Sequence, residues 1–410
     1  MLSPESNQAL QAVREIFDRV EDHGVVDVFH KYKAQDLWPS ITALSRLQHA
    51  HREYLQRRQP TTSTPLTDAA LLSDRAYYSV YASVSYGWKM DLALSGRLHW
   101  GDLQALLRRT GSLREDVLAA EWEARTHRPA YFVVRDRIRK SLVVCIRGTW
   151  SPHDVLTDLC CTSQDFETPR GEESALELLS EFCCAVDEFE GGFSVRRVAG
   201  HHGMLEAAKA LQKHIEELVE KELTINPDYS LVLVGHSMGG GVAALLGAIW
   251  ERTYSPRTFV YGPPCVGPKD ARPTASSRIY SVVREGDPWC CISLGHVADV
   301  SVSLSKLCED VELRDEVTNR TEGGLNRMSL ADLKWCSETL NAIRGDEAGK
   351  KLFPPGRLFL LPEDSSDRRS LLEVQADYFE DMVVSSRMFD LSKHFPAKYE
   401  ELLQGIVRQS

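Results

Sequence analysis

The stretch Leu231-Val232-Leu233-Val234-Gly235-His236-Ser237-Met238-Gly239-Gly240-Gly241-Val242-Ala243 decides how the rest of the chain is read. Its branched apolar run predicts a buried strand, and the small residues from Gly239 onward predict a helix that starts with no loop between. So sharp a turn forces Ser237 into a strained backbone conformation, and the flanking positions must be glycine because a Cβ would clash. The helix N-terminus behind the serine offers unpaired backbone N–H groups and a positive dipole end, a setting for a developing oxyanion. A bare G-x-S-x-G pentapeptide arises by chance. With a strand before it and a helix after it, Ser237 is read as a nucleophile rather than an inert turn serine.

Working outward, a helix over about 203–222 precedes this strand, and further strands are predicted at Thr258 to Tyr261 and Arg278 to Val283. Upstream, the β-branched runs Ala130 to Arg135 and Leu142 to Ile146 flank the charged Asp136 to Lys140, as in a hairpin. Strands alternating with helices predict an α/β fold with a mostly parallel central sheet flanked by helices. Later, Gly356 to Leu361 and Asp381 to Phe389 have strand character, and a last amphipathic helix covers Pro396 to Val407. Residues 1–66 read as a helical N-terminal extension. Leu10, Val13, Ile16, Phe17 and Val20 recur at helical spacing there, and Thr61 to Pro65 has the composition of a linker. The main domain is placed at 67–410, with 299–353 as a charged, glycine-punctuated surface insertion.

In folds with such an elbow, the acid and the histidine follow the serine, each after a later strand. Asp287, in Arg284-Glu285-Gly286-Asp287-Pro288, stands at the C-terminal end of a predicted strand, where open α/β sheets place their chemistry. An aspartate before proline also serves as an ordinary turn residue, so local signal leaves both roles open. For the base, His394 lies between a late strand and the final helix. His296 is the competitor, but it stands close behind Asp287 at the start of the insertion, and chain order favours His394.

Composition narrows the function. The formal net charge of -11 argues against a nucleic-acid partner, which needs clustered Lys and Arg. The polar start Met1-Leu2-Ser3-Pro4-Glu5-Ser6 lacks the order of a secretory signal, and no apolar run reaches the roughly 20 residues of a membrane-spanning helix. Ten cysteines in 410 residues, six of them in the adjacent pairs Cys160-Cys161, Cys183-Cys184 and Cys290-Cys291, suit buried free thiols in a reducing compartment. No paired CxxC spacing suggests a metal.

Several motifs then converge on one family. The chain resembles the class 3 lipases, a branch of the α/β-hydrolases, and within them the catalytic domain of diacylglycerol lipases. Cys145-Ile146-Arg147-Gly148-Thr149-Trp150-Ser151 with Asp154 and Asp158 resembles the family's oxyanion strand and loop, and His201-His202-Gly203-Met204 its H-x-G-[FM] helix start. Tyr261-Gly262-Pro263-Pro264-Cys265-Val266-Gly267 is similar to its F-G-x-P-x-V-G segment, and Asp287 with Ile292-Ser293-Leu294 to its D-x-V-P-R-x-S segment. Pro354-Pro355-Gly356-Arg357 and the region of His394 resemble the late part of diacylglycerol lipases. The likeness covers about residue 68 onward. One departure is Pro288-Trp289-Cys290-Cys291, which replaces the usual V-P-R after the acid.

The resemblance implies a triad of Ser237, Asp287 and His394, with Thr149 and the backbone N–H of Met238 as oxyanion donors and no cofactor or metal. It implies hydrolysis of a glycerolipid acyl ester at a membrane or lipid-droplet surface. The membrane-spanning segments of animal diacylglycerol lipases are absent, so a cytoplasmic protein in peripheral membrane contact is expected. The family places a lid between the oxyanion loop and the H-x-G helix, here 160–200. In that interval Ala175, Leu176, Leu179, Phe182, Cys183 and Val186 form an apolar helical stripe opposite Glu172, Glu173, Glu177 and Glu181, which suits either a lid or a helix packed permanently on the core, and the insertion 299–353 is a second candidate for gating. Phospholipase or galactolipase activity stays open, because head-group selection lies in loops. From another class, a non-catalytic lipase-like scaffold would keep the fold without the chemistry.

Overall fold

The computed structural model describes residues 27–58, 63–89, 92, 96, 101–125, 128–149, 163–167, 185–190, 193–267, 269, 278–344, 351–362, 371–384 and 391–409, with only the backbone for 63, 163–167, 185–190, 193–202 and 391. The N-terminal stripe from Leu10 to Val20, Asp154 and Asp158, and most of the expected lid stripe lie outside the described residues.

The described strands are β1 (Ser63–Pro65), β2 (Val117–Glu121), β3 (Tyr131–Asp136), β4 (Ser141–Ile146), β5 (Ser163–Glu167) and β6 (Ala185–Glu190). They continue with β7 (Phe193–His201), β8 (Ser230–His236), β9 (Arg257–Tyr261), β10 (Ile279–Arg284), β11 (Arg357–Leu361) and β12 (Leu372–Val374). Nine of them form one sheet in the order β1-β12-β11-β10-β9-β8-β4-β3-β2, while β5-β7-β6 form a small antiparallel one. The five strands from β11 to β4 run parallel, and antiparallel pairs close both edges. This is the expected α/β architecture, a mostly parallel central sheet flanked by helices.

The helices that cover the sheet are α1 (Ala34–Arg58), α2 (Ala69–Val84), α3 (His202–Ile225), α4 (Met238–Ile249), α5 (Leu294–Glu309), α6 (Val311–Thr321), α7 (Leu330–Ile343) and α8 (Pro396–Gln409). Alternation along each strand sends its side chains to two sides. Leu142, Val144 and Ile146 of β4, with Leu231 and Leu233 of β8, pack in one core with α1, α3, α4 and α5 to α7. Val143, Cys145, Val232 and Val234 pack in the other with α2 and α8. Burial on both faces explains why the central strands read as unbroken apolar runs. Each such Val or Leu contributes about 1.5–3 kcal/mol relative to exposure.

The predicted hairpin is present as β3 and β4, paired from Tyr131↔Ile146 to Asp136↔Ser141. Elsewhere the structure corrects the reading. Ser63–Pro65, expected as linker, is an edge strand antiparallel to β12, a position that tolerates Pro65. Val186, expected in the helical lid stripe, lies in strand β6. Asp381 to Val384 is not strand, and 385–390 lie outside the described residues. The side chain of Gln48 on α1 replaces a neighbouring strand there: its amide donates to Met382 O at 3.0 Å and its oxygen accepts from Val384 N at 3.1 Å.

The charged segment 299–353 is largely helical. Its apolar positions Val300, Leu304, Val317, Leu333 and Leu340 are buried in the same core as Leu44 and Leu47 of α1. Between α7 and β11, the ammonium of Lys351 has no solvent exposure and donates to Asp299 Oδ2 at 2.9 Å and Glu380 O at 3.1 Å. Arg344 pairs with Asp381 and Asp299 beside it. Removing one member leaves carboxylates buried without their cation. Lys351→Met is therefore expected to lower the unfolding free energy by about 3–5 kcal/mol in urea denaturation; a change under about 1 kcal/mol would show the network to be structurally idle.

Candidate active site

Ser237 stands between β8 and α4 with φ 56° and ψ −136°, a conformation that costs a non-glycine residue roughly 1–3 kcal/mol. Its neighbours explain the glycines. A Cβ on Gly235 would lie 2.3 Å from Gly239 O, and one on Gly239 would lie 2.4 Å from Ile146 O. Main-chain bonds hold the turn: Ser237 N donates to Tyr261 O at 3.0 Å, and Gly240 N and Gly241 N both donate to Ser237 O. The serine is held at the C-terminal ends of β8 and β9.

His394 and Asp287, 107 residues apart in the chain, meet there. Asp287 Oδ2 lies 2.8 Å from His394 Nδ1, and His394 Nε2 lies 2.8 Å from Ser237 Oγ. The acid is buried. Its Oδ1 accepts from Trp289 N at 3.0 Å, and its Oδ2 also accepts from the Tyr399 hydroxyl at 2.5 Å. Burial alone would raise the Asp287 pKa, but the neighbouring imidazole and the donors from His394, Tyr399 and Trp289 outweigh it and hold the carboxyl below its ordinary value. Gly262, at φ 53°, lets the chain pass close to this pair, since a Cβ there would come within 3.1 Å of the His394 ring.

The segment after β4 closes the site. A Cβ on Gly148 would lie 2.5 Å from His236 O and 3.0 Å from Ser237 Cβ, so this loop packs directly on the elbow. Half-buried Thr149 follows it, and Met238, whose N–H opens α4, follows the serine. Of the two expected oxyanion donors, Thr149 thus follows a glycine packed on the elbow and Met238 follows Ser237 itself. His296 is elsewhere. It is buried, with Nδ1 2.7 Å from Ser293 Oγ and Nε2 3.0 Å from Phe379 O, and burial first, then the charge of Lys351, lowers its pKa to about 3. It is a neutral core histidine away from Ser237, and it is His394 that stands within hydrogen-bond distance of the serine.

Residues 143–293 match the model of the family described as lipase (class 3). Mouse diacylglycerol lipase-beta is 26% identical over 284 residues, which cover 60% of this chain and 39% of that protein. Human diacylglycerol lipase-alpha is 28% identical over 157 residues, covering 36% and 13%. The chain thus spans less than half the length of these curated relatives. A solved Yarrowia lipolytica lipase superposes with a TM-score of 0.42 at 16% identity, covering 56% of this chain and 77% of that one.

The matched span runs from within β4 to Ser293 and so includes Thr149, Ser237, Met238 and Asp287, while His394 lies beyond it. The departure after the acid is accommodated locally: Pro288–Cys291 forms a 3-10 turn that Asp287 caps, and the Trp289 ring sits 5.6 Å from that of His394. Sequence reasoning missed three contributors. Tyr399 on α8 bonds the acid, and His236 and Tyr86 bond each other at 2.8 Å behind the serine. Tyr86 lies in a stretch with Tyr77, Tyr78 and Tyr81, and Tyr399 lies in an amphipathic helix, but neither pattern reveals a partner over 100 residues away. Cys145, Cys265, Cys290, Cys291, Cys308 and Cys336 are free thiols. Among the described residues no group of three or more His, Cys, Asp or Glu could hold a metal ion.

Proposed function

We propose that the chain is a serine lipase that hydrolyses an acyl ester bond of a glycerolipid, diacylglycerol foremost, through an acyl-enzyme on Ser237. The observation that carries this reading is the unbroken line Asp287 Oδ2, His394 Nδ1, His394 Nε2, Ser237 Oγ, with 2.8 Å at each hydrogen bond. Asp287 keeps the proton on His394 Nδ1, so Nε2 is free to take the Ser237 proton. The serine oxygen then adds to the ester carbonyl carbon, and the negative charge moves to the carbonyl oxygen. The Met238 N–H and Thr149 would receive that charge; losing one such donor typically costs about two to three orders of magnitude in rate. Collapse breaks the bond to the glycerol oxygen, which takes the proton from His394. Water, deprotonated by the same imidazole, releases the fatty acid and restores the serine.

The substrate class rests on the class 3 lipase match and on relatives named as diacylglycerol lipases. No helix among the described residues is long and apolar enough to cross a membrane, so this reading has the described part of the chain meet its lipid peripherally. The free thiols favour a reducing, cytoplasmic setting. Purified protein offered dispersed diacylglycerol, phospholipid and galactolipid in parallel should release fatty acid fastest from diacylglycerol. A preference of tenfold or more for either of the other two would replace the proposed substrate class.

A further inference from the structure

His236 is the residue before the nucleophile, and strand alternation turns its side chain away from the elbow, toward the face lined by Val232 and Val234. There it is buried and bonded at both ring nitrogens. Nε2 lies 2.6 Å from the backbone carbonyl oxygen of His394, and Nδ1 lies 2.8 Å from the Tyr86 hydroxyl. Burial first, then the nearby His394, keeps the ring neutral, so it carries one proton. A carbonyl oxygen can only accept, which places that proton on Nε2 and makes Nδ1 the acceptor of the Tyr86 O–H. The Tyr86 hydroxyl also packs directly against Gly148, next to Thr149: a Cβ built on that glycine would lie 2.4 Å from it.

A continuous line of contacts therefore runs from the loop at Gly148 through the hydrogen-bonded Tyr86 and His236 to the backbone of His394. We propose that Tyr86 and His236 are positioning residues that fix the loop carrying Thr149 and the base His394 relative to one another, so that proton transfer and oxyanion binding are served by one rigid frame. The inference rests on the serine-hydrolase reading above. Neither residue touches the reacting atoms. Their effect comes from holding two groups that must keep their spacing to within about 0.5 Å. Ground-state binding of the lipid does not depend on that spacing, whereas the transition state does.

The test is a double-mutant cycle of Tyr86→Phe and His236→Leu, with kcat and KM for a soluble p-nitrophenyl ester expressed per active site titrated with a fluorophosphonate. Each single variant should lose roughly 10- to 100-fold in kcat with KM within about twofold, as for a small misplacement of catalytic groups. The double variant should lose no more than the worse single one, because either substitution breaks the same line of contacts. Unchanged kcat in Tyr86→Phe, losses confined to KM, or losses that multiply would each overturn the proposal. Should His236→Leu fail to fold, the kcat and KM of Tyr86→Phe decide alone. Absence of titratable sites in the wild type would defeat the serine-hydrolase reading instead, so the two failures are distinct.

Discussion

Ser237→Ala is expected to reduce ester hydrolysis by about five to six orders of magnitude, on emulsified diacylglycerol and on a soluble short-chain ester alike. The size follows from the site. Ser237 Oγ is the atom aligned with His394 Nε2 at 2.8 Å, and α4 begins directly behind it. Without the oxygen no acyl-enzyme forms. What remains is the catalysis that binding and oxyanion donors give an unassisted water, roughly 10³- to 10⁴-fold over solution. The substitution leaves the turn intact, since alanine has the same backbone demands at φ 56° as serine and the glycines around it are unchanged. Its unfolding midpoint should therefore match that of the wild type. Residual activity above about 1% would mean that another group attacks the ester.

Asp287→Asn should cost roughly 10⁴-fold in kcat with the fold retained. The carboxylate accepts from His394 Nδ1, the Tyr399 hydroxyl and Trp289 N at once. An amide has one accepting oxygen and one donating nitrogen. If the nitrogen faces His394, the imidazole proton is driven to Nε2, where it can no longer accept from Ser237. The pH dependence has a definite sign. The folded pKa of Asp287 is depressed, so its stabilising contribution is present above the unfolded carboxylate value of about 3.9 and is lost as pH falls through the lower folded value. The wild type should accordingly lose stability in that acid window more steeply than Asp287→Asn does. Equal slopes in urea denaturation below about pH 4 would show that the acid is not held ionised by its partners.

Both results concern residues legible from the chain alone, and the reason is physical. The elbow is local: a buried strand, a forced turn and a small-residue helix all fall within Leu231 to Ala243, and the central strands advertise themselves because both faces are buried. Asp287 and His394 were placed by chain order and by family motifs, since a turn aspartate and a loop histidine have no distinctive local signal. What escaped was made by distance. β1 is three residues long and contains a proline, and it is a strand because β12, some three hundred residues on, pairs with it. Asp381 to Val384 looks like a strand, yet a glutamine side chain from α1 satisfies its backbone. The charged insertion carries helices whose apolar stripe has meaning only against α1. Tyr86, His236 and Tyr399 likewise acquire a role only when β8, α8 and the end of α2 converge.

The central claim, an activated nucleophile at Ser237, is tested most directly by covalent labelling. Purified wild-type protein treated with a fluorophosphonate at neutral pH, then examined by intact mass and peptide mapping, should carry one adduct, on the peptide containing Ser237. Ser237→Ala should carry none. No adduct on the folded wild type, or an adduct that persists on another serine in Ser237→Ala, would contradict the account and favour a lipase-like scaffold without lipase chemistry.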